Sequence, residues 1–255
     1  MKVFLSGLES SEENIIKKYI KDNKKIDYAL TSYFYCRNKT NFINNLKLFA
    51  NEILVDSGAH SFQKGKKVDW VEYTKKYAEW IEQNDCDKIL GYFEMDVDNI
   101  IGYENVLELR KMLESVTNKI IPVWHKNRGI KEFKKMCKDY QGKIIAITGF
   151  KNEDIQDNQY IMFLKYAKKY NCKVHCLGMT RTKILNKIPF DFVDSSTWKQ
   201  AGNFGEVSIF KNGEMKRSKQ YKGKYKTKEL DLLNFEEFVK MQIYYKNKWR
   251  KVEWR

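Results

Sequence analysis

The sequence predicts an α/β protein, a (β/α)8 TIM barrel with a basic helical C-terminal extension. Eight short, mostly apolar runs rich in β-branched and aromatic residues recur between residues 3 and 196. Segments with apolar residues at three- and four-residue spacing, typical of amphipathic helices, separate many of these runs. Each run ends on or near a polar residue or glycine, as strands buried on both faces of a parallel sheet do. A doubly wound open sheet is the second fold that this alternation allows.

The predicted strands are five to eight residues long and come in a regular order. Their composition favours extended structure, because β-branched and aromatic side chains pack well on a pleated surface. In chain order they are VFLSG (3–7), YALTSYFY (28–35), EILVDSG (52–58), ILGYFEMD (89–96), IIPVWH (120–125), IIAITG (144–149), VHCLG (174–178) and FDFVDSS (190–196).

The predicted helices lie between these strands, over 68–84, 104–116, 130–140 and 155–170. The first of them shows the pattern most fully, since its apolar residues repeat with helical spacing. That stripe consists of Trp70, Tyr73, Tyr77, Trp80 and Ile81. We therefore predict a barrel domain over residues 1–205 and a basic extension, packed on the barrel, over residues 206–255.

Composition excludes several classes of protein. Of the 255 residues, 42% are hydrophobic and 15% aromatic, which is unlike a disordered chain. A membrane helix needs about 18 uninterrupted apolar residues, and no stretch of the sequence comes near that length. The N-terminus lacks the pattern of a signal peptide. The five cysteines, with no CxxC pair, favour reduced thiols rather than a disulfide framework. A cytoplasmic protein without a membrane partner is expected.

The net charge of +15 is concentrated near the C-terminus. The last 45 residues contain 14 basic and 6 acidic side chains, so they carry +8 of this charge. Basic side chains neutralise phosphates, and nearby aromatic rings can stack on bases, so a nucleic acid is the predicted partner. A lysine-rich, solvated surface is the alternative. The residues expected to bind nucleic acid are Lys216, Arg217, Lys219, Lys222 and Lys224.

Polar residues that can carry chemistry lie at the ends of the predicted strands. In a barrel the carboxyl ends of the strands meet at one mouth, so these side chains are expected to converge. Convergent carboxylates shift one another's pKa values, which suits a nucleophile paired with an acid or base. The candidates are Asp56, Ser57, His60, Glu94, Asp96, Asp98, His125, Thr148, Gly149, His175, Gly178 and Asp194. Asp191 lies three residues before Asp194, so it points to the opposite face and is expected to be structural.

The order of these motifs resembles the tRNA-guanine transglycosylase superfamily, over roughly residues 50–200. V-D-S-G-A-H-S-F-Q (55–63) is similar to the family's D-S-G-G-F-Q loop, with Ala59 departing and His60-Ser61 inserted. E-M-D-V-D (94–98) resembles the strand whose aspartate reads the purine edge, and I-P-V-W-H (121–125) the strand that presents a glutamine to the base. I-A-I-T-G (145–149), V-H-C-L-G (174–178) and F-D-F-V-D (190–194) resemble the strands that follow.

The resemblance implies that the enzyme exchanges guanine for a 7-deazaguanine base through a covalent aspartyl-sugar intermediate. It makes Asp194 the nucleophile and Asp56 the group that assists proton transfer. Asp96 and the backbone of Gly149 would contact the base, with His125 in the place of the glutamine. An aromatic ring would stack on the base. The remaining expected substrate contacts are Ser57, Thr148 and Gly178, and the expected stacking residue is one of Phe62, Tyr92 and Trp198.

The resemblance favours DNA over tRNA as the polymer. Family enzymes that act on tRNA carry a C-x-C-x-x-C…H zinc site after the nucleophile, and no Cys or His follows Cys176 here. A similarity to the bacterial and phage enzymes that insert 7-deazaguanines such as preQ0 into DNA implies no metal and no cofactor. It places a phage-encoded protein in the host cytoplasm. A homodimer or a partner protein stays open.

Three alternatives remain from the sequence. A tRNA-guanine transglycosylase is the first. A metal-dependent barrel hydrolase would use His60, His125, His175 and Asp194, because all three histidines lie at or near strand ends. A non-catalytic barrel that binds nucleic acid is the third.

Overall fold

A computed structural model describes residues 1–39, 41–62, 68–148, 155–219 and 226–250. Eight parallel strands surround a central core, as the sequence predicts. Each overlaps one of the eight predicted runs, with bounds that differ by up to three residues. They are β1 (Lys2–Leu5), β2 (Ile26–Ser32), β3 (Ala50–Asp56), β4 (Ile89–Phe93), β5 (Ile120–Ile121 and Val123–Trp124), β6 (Ile144–Thr148), β7 (Lys173–Leu177) and β8 (Phe192–Ser195).

The strand β5 joins the two halves of the sheet and so closes the barrel. The first half of β5 pairs with β4, where Ile120 lies opposite Tyr92, and the second half pairs with β6, where Val123 lies opposite Ala146. Pro122 separates the two halves; it has no N–H to donate, but its carbonyl accepts from the Ala146 N–H at 2.8 Å. β1 pairs with both β2 and β8, which completes a (β/α)8-like barrel.

Helices cover the outside of the barrel. α4 shows why they form: Asp69 caps its first turn by accepting from the Glu72 N–H at 2.9 Å. Its stripe then packs inward, with Tyr77 and Ile81 fully buried. The helices are α1 (Lys17–Lys21), α2 (Tyr33–Cys36), α3 (Phe42–Phe49), α4 (Trp70–Asn84), α5 (Asp98–Ile101), α6 (Tyr103–Glu114), α7 (Gly129–Asp139), α8 (Tyr160–Lys168), α9 (Thr182–Leu185), α10 (Thr197–Asn203) and α11 (Thr227–Lys248), with a π-helical turn at Glu12–Ile16 and 3₁₀ turns at Leu8–Ser10, Ala59–Ser61 and Lys126–Arg128.

The barrel interior is filled with side chains and is separate from the larger core between strands and helices. A packed interior leaves only the two ends of the barrel open to ligands. The interior is formed by Phe4, Tyr28, Leu30, Leu54, Phe93, Ile121, Val123, Ala146 and Phe192.

Two predicted elements differ from the structure. The aromatic run 28–35 was expected to be one strand, but the chain turns into α2 at Tyr33, and this helix carries Tyr35 to the mouth of the barrel. The extension contains the predicted helix, α11, but an antiparallel hairpin of β9 (Glu206–Lys211) and β10 (Glu214–Lys219), which was not predicted, precedes it. Asn212 and Gly213 both have positive φ, as a type I′ turn requires, and an Asn-Gly pair is a strong sequence signal for it.

α11 closes a gap between β1 and β2. The buried amide of Gln242 donates to the carbonyls of Val3 and Tyr28 at 2.7 and 2.8 Å. Its oxygen accepts from the N–H groups of Asp27 and Tyr28 at 2.9 and 3.3 Å. This side chain therefore takes the place of ladder hydrogen bonds near the amino ends of two strands. The division of the chain at residue 205 stays a prediction.

Within the described ranges, no helix combines the length and apolar character needed to span a bilayer.

Candidate active site

A cavity of about 720 Å³ lies at the carboxyl ends of the barrel strands. Every strand contributes to its lining, which is the property that makes this end of a barrel the usual site of chemistry. In strand order, the contributions at or just beyond the strand ends are Ser6, Ser32, Asp56, Asp96, His125, Thr148, Gly178 and Asp194.

Asp194 is held from one side only. Its Oδ1 is 2.9 Å from Nε2 of His175 and accepts from the Gly178 N–H at 2.8 Å. Among the described residues, Oδ2 has no hydrogen-bond partner, and the side chain retains 17% exposure at the cavity. One oxygen is therefore fixed while the other is open to a ligand.

Asp56 holds a proton more tightly than an ordinary aspartate does. Burial is the main reason that the pKa of its carboxyl rises to about 6. His60 and the Gly58 N–H, which donates to Oδ2 at 3.2 Å, oppose this rise, whereas the negative charges of Asp194 and Asp96 add to it. Near pH 6 this carboxyl can therefore give up or take a proton, which suits a general acid or base.

Asp96 is already engaged by cationic and imidazole groups. Nε2 of His125 lies 2.8 Å from both carboxylate oxygens, and Nε2 of His60 lies 3.1 Å from Oδ2. Arg128 donates to Oδ1 at 3.3 Å. Burial alone would raise the pKa of Asp96, but the hydrogen bonds from the two histidines hold it well below its usual value. The hydrogen bond that His60 donates to Asp96 in turn raises the pKa of His60.

Arg128, which sequence reasoning did not single out, organises this wall of the cavity. Its side chain is 1% exposed and pairs with Glu94 at 3.0 Å, Asp98 at 3.0 Å and Asp96 at 3.3 Å. Arg110 binds the other oxygen of Glu94 at 2.5 Å. Glu94, Asp96 and Asp98 alternate along the sequence, and carboxylates buried together require a buried positive charge nearby. An arginine just beyond β5 could have been predicted to supply that charge.

Glu9 is a second residue that the sequence did not reveal. It lines the cavity from the turn after β1, although only 8% of it is exposed. Its Oε1 accepts from the Thr31 hydroxyl at 2.8 Å and the Ser32 N–H at 2.7 Å. No sequence pattern marks this glutamate, because its contacts lie on the neighbouring strand.

Other predicted site residues fall in different places. Thr148 and Gly178 line the cavity, whereas Ser57 is buried in the wall and donates to the Glu94 carbonyl at 2.9 Å. Gly149 lies outside the described residues. Asp191 has the structural role expected for it, since it binds Lys168 at 2.9 Å and the Val174 N–H at 2.8 Å.

The exposed aromatic ring at the cavity is not one of the three expected. Tyr92 and Trp198 are fully buried, and Trp198 donates to the Ser6 carbonyl at 2.8 Å, so neither can stack on a ligand. Phe62 packs edge-on against Phe34, with ring centres 4.9 Å apart. Tyr35 lines the cavity and is 52% exposed.

The basic residues of the extension lie apart from this cavity. Lys216, Arg217 and Lys219 are exposed on β10, and none of them lines the cavity. Arg217 is 3.6 Å from Glu206 across the hairpin. Lys222 and Lys224 fall outside the described residues, so nucleic-acid binding by this segment stays a prediction.

The three histidines do not form one metal site in the part of the chain that the structure describes. The group found there that could hold an ion is Asp96, Asp98 and His125, whose ligand atoms lie within 4.8 Å of one another. Arg128 already neutralises both of these aspartates.

Comparison with known protein families and with curated proteins finds no match to this chain.

Proposed function

We propose that the protein is a guanine transglycosylase that exchanges guanine in DNA for a 7-deazaguanine base such as preQ0. The observation that carries this proposal is a pair of carboxyls in one cavity with different chemistry. Asp194 has one oxygen fixed by two contacts and one open, and Asp56 has a pKa of about 6. A nucleophile and a proton-transfer group together are what double displacement at a glycosidic carbon requires.

In the first step Asp194 attacks C1′ of the target nucleotide. A bond forms between the carboxylate and C1′ while the C1′–N9 bond breaks, and its electron pair leaves with guanine. The Asp56 carboxyl donates the proton that the departing base takes up. The incoming base then returns a proton to Asp56, its nitrogen bonds to C1′, and the ester electrons return to Asp194. The two half-reactions leave the enzyme unchanged.

The groups on the cavity walls are of the kinds that bind a purine. Asp194 and Asp56 come from β8 and β3, which divide the mouth into two arcs. The arc with Asp96, His125 and Thr148 offers hydrogen-bonding groups for a base edge, as the family resemblance implies. Tyr35, on the other arc, offers an exposed ring on which a base or sugar can stack.

A duplex target must present its guanine to this cavity. Extrusion of a base costs a few kcal/mol, and basic residues that bind the backbone can offset that cost. The net charge of +15 supports a polyanionic substrate.

The test is exchange of labelled guanine in DNA, and separately in tRNA, against preQ0 and related 7-deazaguanine bases. Wild type and Asp194→Asn are compared at equal concentration, with binding of the same polymer as the control for folding. We expect exchange into DNA by the wild type, and loss of exchange with nearly unchanged binding in the variant. Undiminished exchange by Asp194→Asn would exclude the aspartyl intermediate. Exchange confined to tRNA would identify the tRNA enzyme instead.

A metal-dependent hydrolase is favoured by one specific observation, the approach of Asp96, Asp98 and His125 within 4.8 Å. Stoichiometric zinc or another transition metal in purified protein, lost in His125→Ala, would support it. A metal-free protein that binds DNA in a salt-sensitive way without exchange would indicate the non-catalytic barrel.

A further inference from the structure

The two contacts to Asp194 reach the same oxygen. His175, within β7, and Gly178, directly after it, approach Oδ1 with Nε2 and the backbone N–H at 2.9 and 2.8 Å. In the described part of the chain Oδ2 receives no hydrogen bond, and the residue lines the cavity. The two carboxylate oxygens are therefore inequivalent before any substrate arrives.

His175 is enclosed within the barrel. It is 0% exposed, and its ring lies 5.1 Å from that of Phe93, 6.2 Å from Phe4 and 6.5 Å from Phe192. Among described residues, its Nδ1 is buried without a hydrogen-bond partner. A proton on Nδ1 would be buried without an acceptor, which is costly. The single proton of a neutral ring therefore belongs on Nε2, where Asp194 accepts it.

We infer that His175 is a positioning residue that holds Oδ1 of Asp194 through an Nε2–H donor, so that Oδ2 is the atom that attacks C1′. This inference rests on the proposed function. It adds a residue and an oxygen assignment to that reaction.

The consequence can be followed through the reaction. When Oδ2 bonds to C1′ and the C1′–N9 pair leaves with the base, Oδ1 becomes the carbonyl oxygen of the ester. It can keep both of its hydrogen bonds, because both donors contact Oδ1 and not Oδ2. When the incoming base displaces Oδ2, the electron pair returns to a carboxylate that both donors stabilise. His175 neither gains nor loses a proton in either step.

Two variants separate this role from packing. His175→Phe keeps an aromatic ring in the cage but removes the donor, whereas the amide nitrogen of His175→Gln can occupy about the place of Nε2. We expect His175→Phe to lower kcat by about 10²-fold with little change in KM, since the nucleophile loses its orientation and not its substrate contacts. His175→Gln should recover much of this loss. Urea unfolding of each variant controls for folding.

A spectroscopic measurement tests the tautomer without any turnover. In ¹⁵N-histidine-labelled wild type, His175 should show a protonated Nε2 and an unprotonated Nδ1. A proton on Nδ1 would overturn the inference even if exchange is observed. So would full activity of His175→Phe, or equal losses in both variants. Absence of exchange by the wild type in both polymers would instead remove the proposed function, and this inference with it.

Discussion

Replacing Asp56 with asparagine is expected to stabilise the protein at neutral pH while removing its proton-transfer group. Burial at the cavity raises the pKa of this carboxyl from 3.8 to about 6, so its ionised form is disfavoured in the folded state. Asparagine has the same shape and no charge, and its side-chain oxygen can still accept from the Gly58 N–H. The variant therefore keeps the local hydrogen bond without the buried charge.

The magnitude follows from the difference between the two pKa values, 3.8 and about 6, because each tenfold change in proton affinity is worth about 1.4 kcal/mol. The folded state binds the proton more tightly than the unfolded chain, so the stability of wild type falls as the pH rises from about 4 to about 6. The Asp56→Asn variant has no carboxyl at this position, so its stability does not fall in this way over that pH range. It should match the wild type below pH 4 and exceed it by up to about 3 kcal/mol above pH 6.

Urea unfolding at pH 4, 5, 6 and 7.5, with wild type and variant in parallel, measures this difference, because titrations elsewhere in the chain cancel. Asp98→Asn is the matched control. Burial would raise the pKa of Asp98, but Arg128 lowers it, so this variant should lose stability above about pH 4. A variant Asp56→Asn that is less stable than wild type at pH 7.5, or whose stability difference is the same at every pH, would refute the reasoning.

Three further outcomes are expected. Gln242→Ala leaves buried backbone groups of β1 and β2 unpaired and should cost about 3 kcal/mol or more in urea unfolding; a loss below about 1 kcal/mol would show that water replaces the amide. Tyr35→Ala should raise KM for exchange about tenfold with Tyr35→Phe unaffected, since stacking needs the ring and not the hydroxyl. Glu94→Gln should lower stability by about 3 kcal/mol, because Arg110 and Arg128 lose their shared carboxylate, and an unchanged melting temperature would contradict this.

The eight strands could be predicted from the sequence because each is buried on both faces and so appears as a short apolar run. Four of the helices, α4, α6, α7 and α8, were predictable for a related reason, since only one face of each meets the barrel, as in the stripe of Tyr73, Tyr77 and Ile81. The hairpin at Asn212-Gly213 was missed, although its turn residues were a local signal, because the basic composition was interpreted as a helical extension. The end of β2 at Ser32 was missed because the aromatic residues after it favour strands in isolation.

What the sequence by itself determined is the barrel and the end of it at which the candidate site residues lie. Parallel strands bring their carboxyl ends to one mouth, so Asp56, Asp96 and Asp194 could be assigned to a shared site from their positions after apolar runs. This inference needs only strand order, which local patterns encode.

What only the tertiary structure decided is which groups pair within that mouth. His175 fixes one oxygen of Asp194, and Arg128 joins carboxylates that lie 30 to 34 residues earlier in the chain. Glu9 reaches the cavity through contacts with β2. Such pairings depend on the direction of each side chain and on distances across the barrel. Residue types and spacing along the chain do not encode them, so the protonation and charge of each group follow from the folded geometry alone.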